Sequence, residues 1–140
     1  MMDRRKMLGS TVGVVAAGLV LSDQVAQAAA AETATEACAA GCGDCAATCL
    51  ACAAECLNEL AAGAADRKAC IQLCLDCADI CNARSRIGAR KGPMSAMIAK
   101  LCAEACDKCA DECEKHTDDE ACQACAKSCR ACAKACRESI

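Results

Sequence analysis

Apolar positions in this chain recur at alternating spacings of three and four residues, and the residue filling them is cysteine. One run is Cys38, Cys42, Cys45, Cys49, Cys52 and Cys56, and the next is Cys70, Cys74, Cys77 and Cys81. A third holds Cys102, Cys106, Cys109 and Cys113, and a fourth Cys122, Cys125, Cys129, Cys132 and Cys136. A rhythm averaging about 3.5 residues keeps one residue type on a single helical face. The pattern predicts an all-α chain of four helices, each with a thiol seam where an ordinary bundle carries Leu, Ile or Val.

Boundary signals fit that reading. Thr33 with Glu36, and Thr117 with Glu120, read as capping boxes. Gly63 ends the first helix, Asp66 caps the second, the segment from Gly88 to Gly92 breaks it, and Pro93 suits the first turn of the third. Expected helices span roughly 34–62, 66–88, 93–115 and 118–138. Short connections favour an antiparallel, up-down-up-down four-helix bundle with a cysteine-lined core. Alanine flanks the seams and lets helices approach. Gly41 and Gly43 each cost a helix about 1 kcal/mol, and close packing is the expected reason for them. Larger apolar residues such as Leu50, Leu57, Leu75, Ile87 and Leu101 are expected to seal the seam edges or an oligomer contact.

The N-terminus reads differently. Arg4, Arg5 and Lys6 precede an apolar stretch from Met7 to Leu21, and Ala26-Gln27-Ala28 fits a small-x-small cleavage site. The stretch is too short and too rich in Gly, Ser and Thr for a membrane span of about 20 residues. Residues 1–28 are therefore expected to be a cleaved export signal, and 29–140 a single domain. Asp3-Arg4-Arg5-Lys6-Met7-Leu8 resembles a twin-arginine signal, the alternative being a general secretory signal. A route exporting folded protein would spare nineteen thiols random oxidation in an oxidising periplasm. The part after the signal holds 13 basic and 17 acidic residues and no Phe, Trp or Tyr. Such a surface attracts neither nucleic acid nor anionic membrane.

Three chemistries suit the seams. A disulfide scaffold needs only a few cysteines, and nineteen is an odd number. Zinc takes four thiolates at about 2.3 Å and leaves a net charge of about −2 per site, costly in a narrow core. Cu(I) is selected by soft thiolates and accepts two or three of them. Residues i and i+4 of a helix bring Cβ atoms to about 5–6 Å, so a Cys-x3-Cys pair can clip one ion. One Cu⁺ per thiolate leaves the core neutral, and charge balance favours Cu(I), with a disulfide bundle or zinc storage as alternatives. One histidine, no phosphate loop and no nucleophile–base pairing argue against an enzyme.

The signal, the four-helix reading and the repeated Cys-x3-Cys pairs (Cys38/Cys42, Cys45/Cys49, Cys52/Cys56, Cys70/Cys74, Cys77/Cys81, Cys102/Cys106, Cys109/Cys113, Cys125/Cys129 and Cys132/Cys136) resemble the bacterial copper storage proteins. That resemblance implies a bundle filled with many Cu(I) ions, a homo-oligomer that is often a tetramer, and a twin-arginine route for exported members. The store would serve supply to cuproenzymes, directly or through a copper chaperone, or detoxification. His116 lies three residues beyond Cys113, in phase with the seam, and suits an entry ligand; a solvated residue at a helix end is the plainer reading. Met94 and Met97 are thioethers able to pass on Cu(I), though Met more often packs cores. In the antiparallel arrangement His116 joins Cys56, Cys70, Cys113 and Cys122 at one end. Ile87, Met94, Ile98 and Leu101 gather at the other, which is expected to be an apolar plug.

Overall fold

The computed structural model describes the backbone from Val12 and the side chains from Leu21, both through Ile140. Arg4, Arg5 and Lys6 of the expected signal lie outside the described residues. The elements are α1 (Val12–Ala61), a short 3-10 turn (Ala65–Arg67), α2 (Lys68–Ala89), α3 (Ser95–Cys113) and α4 (Glu120–Glu138). The chain divides into two units, Met1–Thr33 and Ala34–Ile140. The described part of the first is helix, with Leu21 and Val25 exposed. The second is the bundle.

Several boundaries differ from the expected ones, each for a local reason. Thr33 and Glu36 do not start a helix. α1 runs through them on the alanine-rich residues before, and Thr33 Oγ1 donates to the Ala30 carbonyl at 2.8 Å instead of capping. Gly63 does end α1. At φ 107° it lets Gly63 N donate to Leu60 O and Ala64 N to Glu59 O, both at 3.0 Å, the two bonds of a Schellman stop. Asp66 does not cap α2, which has no side-chain cap and grows out of the 3-10 turn. The same double stop closes α2, but its left-handed residue is Lys91 (φ 52°), not Gly88 or Gly92. Pro93 and Met94 lie in the turn before α3. Asp119, not Thr117, caps α4, accepting from Cys122 N at 3.0 Å.

Packing follows from a seven-residue Cys-Ala repeat. All nineteen cysteines are buried, and so are the alanines just after Cys38, Cys45, Cys52, Cys77, Cys102, Cys109, Cys125 and Cys132. Those methyl groups line the helix contacts and bring the backbones close enough for sulfurs of different helices to touch. Among the described residues, Ile71 is the one large aliphatic residue of the buried core. Leu50, Leu57, Leu75 and Leu101 are exposed. Close packing does not account for Gly41, where an added Cβ meets nothing within 4 Å, whereas at Gly43 it would touch Ser85 Oγ at 3.4 Å.

Candidate metal centre

The sulfur contacts fix the topology. Cys38 meets Cys136 while Cys56 meets Cys122, so α1 and α4 are antiparallel. Cys74 meets Cys109 and Cys81 meets Cys102, and α2 and α3 are antiparallel in turn. Every one of the nineteen sulfurs lies 3.4–4.0 Å from at least one other, and the contacts join into a single array. At 1.5 Å per residue the array from Cys38 to Cys56 is about 27 Å long. All nineteen thiols are free.

Contacts across helices are at least as close as those along one. Cys38–Cys42, Cys70–Cys74 and Cys77–Cys81 stand 3.9–4.0 Å apart, whereas Cys42–Cys132 is 3.4 Å and Cys81–Cys102 is 3.5 Å. Groups of four thiols lie within 4.8 Å of one another, among them Cys42/Cys102/Cys132/Cys136, Cys49/Cys109/Cys125/Cys129 and Cys52/Cys56/Cys70/Cys122. With metal–sulfur bonds near 2.3 Å, a linear pair needs sulfurs about 4.6 Å apart, and three- or four-coordinate sites about 3.8–4.0 Å. The array meets both requirements. It offers each ion several sulfurs and each sulfur several ions.

The family model of the copper storage proteins (Csp) matches residues 20–140. The chain belongs to the copper storage protein family. A cytosolic copper storage protein from Streptomyces lividans carrying five coppers superposes with TM-score 0.74 at 35% identity, covering 79% of this chain and 95% of that one. The Streptomyces lividans protein Ccsp loaded with 10 copper equivalents gives 0.71 at 37%, covering 76% and 83%. The Cu(I)-bound Csp3 of Bacillus subtilis gives 0.70 at 40%, covering 75% and 96%. Comparison with curated protein sequences returns no match.

Both ends of this family member's column are polar. At the α3–α4 end the His116 side chain is 7% exposed, with Nδ1 3.7 Å from Asp66 and Nε2 3.9 Å from Glu112. Nε2 is buried and has no hydrogen-bond partner. Beside it Arg67 pairs with Asp119 at 3.1 Å and donates to Cys122 Sγ at 3.6 Å. The opposite end is not the expected apolar plug. Ile87, Met94, Met97, Ile98 and Leu101 form an open groove along α2 and α3, and Met94 and Met97 are 50% and 64% exposed. Their helical phase points them outward. The end itself is filled by Arg84, which is fully buried. Arg67 and Arg84 lie three residues outside Cys70 and Cys81, in the seam phase that marks His116. That signal was available for both arginines.

Burial and mutual contact set the thiol acidities. Burial pushes Cys56 up to about 11 and raises Cys122 as well. Contact between the thiols raises some and lowers others. Contact with Cys136 holds Cys38 low, whereas contacts with Cys102 and Cys132 raise Cys42. A buried thiolate is stabilised by its neighbours' S–H groups, so adjacent sulfurs cannot all ionise unless cations replace the protons.

Proposed function

We propose that the protein stores Cu(I) on its nineteen cysteine thiolates, as stoichiometric ligands and not as catalysts. The continuous sulfur array carries this reading, for it resembles a column of shared ligands more than a set of separate sites. Cu⁺ neutralises it at about one ion per sulfur, whereas four-thiolate zinc sites leave about −2 each in a dry interior. Separate groups such as Cys52/Cys56/Cys70/Cys122 keep zinc as the second reading. The free state of all nineteen thiols gives the disulfide scaffold no support. Anaerobic titration of the reduced protein with Cu(I), in competition with zinc, tests the choice.

Finer parts of the proposal rest on separate observations. His116 exchanges metal at its end of the column, for its buried Nε2 lacks a partner and acids flank the ring. A neutral imidazole hands Cu(I) on to thiolates without adding charge. Exposed Leu50, Leu57, Leu75 and Leu101 supply apolar surface for self-association, a tetramer by family resemblance. Export of the folded chain rests on Arg4-Arg5 and the cleavage pattern before Ala29, and it distinguishes this chain from the cytosolic Streptomyces lividans protein. The released copper serves cuproenzymes or is held out of harm, with a chaperone or enzyme as recipient.

A further inference from the structure

We propose that Arg84 closes the Cys38/Cys136 end of the thiol column to metal ions, so that copper enters and leaves at the His116 end. The guanidinium sits where all four helices converge. Nη1 donates to Ser95 Oγ on α3 at 3.4 Å and Nη2 to Ser139 Oγ, just after α4, at 3.2 Å. On α2, Gly88 makes the room, because a Cβ there would land on Arg84 Nη1 and lie 2.9 Å from Ala39 Cβ of α1.

The charge also lacks a carboxylate partner. Among the described residues no carboxylate stands within 4.0 Å of Arg84, and Nε has no partner. Arg67, by contrast, is matched by Asp119 at 3.1 Å. The surrounding chain follows the same division. Residues 84–91 hold four basic residues and no acid, whereas residues 111–120 hold six acids against one lysine. Near the latter a cleft of ≈ 670 Å³ is lined by five acids, Glu55, Glu59, Asp118, Asp119 and Glu120, against one cation, the paired Arg67. A cation leaving past Arg84 would cross a fixed like charge in a poorly solvated site, where repulsion is far stronger than in water. A cation at the other end meets acids.

This inference rests on the storage reading, and its test separates the two. Cu(I) is delivered anaerobically from its bicinchoninate complex, and loading is followed by absorbance. His116→Ala should slow loading, and adding Arg84→Met or Arg84→Ser should open the second end and raise the rate on the order of tenfold. Adding Arg84→Lys instead should leave it slow. Folded double variants of full capacity that load no faster than His116→Ala alone would overturn the seal. A chain that binds only one or two Cu(I) would refute storage instead.

A second measurement needs no variant. The reduced wild-type chain is labelled with a cationic and an anionic methanethiosulfonate of similar size, and the modified cysteines are mapped by mass spectrometry. The cation-to-anion rate ratio at Cys38 and Cys136 should fall on the order of tenfold below that at Cys56 and Cys122. Equal ratios at the two ends would overturn the proposal.

Discussion

A cysteine in this core acts both as a small hydrophobe and as a soft ligand, so the apo chain can bury its thiols before metal arrives. The residues that end the seams carry the differences in behaviour. His116→Ala should slow metal loading or removal several-fold while leaving capacity nearly unchanged, because the sulfurs remain. Stopped-flow loading beside an equilibrium titration checks this, and a large loss of capacity would make His116 a structural ligand. Spacing alone put the cysteines on one face of each helix and His116 in phase with them, and the structure buries all of these side chains. Arg67 and Arg84 share that spacing, yet a charged side chain in a helix is ordinarily solvated. Burial of Arg84 depends on Gly88, Ser95 and Ser139 from other turns and helices, and no single-helix pattern reveals that convergence.

At the level of elements, the four seams identified the helices, while their ends depended on backbone geometry that the sequence signals only in part. Gly63 was readable because glycine suits a left-handed stop. Lys91 in the same role was not, because a lysine there costs about 1–2 kcal/mol. Lys91→Gly should therefore stabilise the bundle by about 1 kcal/mol, net of a weak exposed pair with Glu36 at 3.2 Å. Gly41→Ala, which meets open space on an exposed helical face, should add about 0.5–1 kcal/mol. Thermal melts of reduced apo protein measure both. Ala110→Leu should cost about 1–3 kcal/mol, because the alanine is fully buried and a larger side chain there must push packed neighbours aside.

For the whole molecule, stability and copper binding are one proton-linked system. Burial raises the Cys56 thiol to about 11, against about 8.5 for an ordinary thiol. The unfolded chain therefore gives up a proton between those values that the folded apo chain keeps. Folded stability should fall as pH rises through that window. Copper-loaded protein, whose thiolates already lack protons, should show little such loss, and melts of both forms across the range compare them. Changing Arg4 and Arg5 to lysine should strand the precursor in the cytoplasm, as cell fractionation would show. The sulfur array is proposed to act as one shared Cu(I) store. That role meets its most direct test in anaerobic Cu(I) titration of the reduced chain with native mass spectrometry. Saturation is expected near one Cu(I) per cysteine, on the order of nineteen ions, with zinc displaced in competition. Saturation at one or two ions, or retention of zinc against Cu(I), would contradict it.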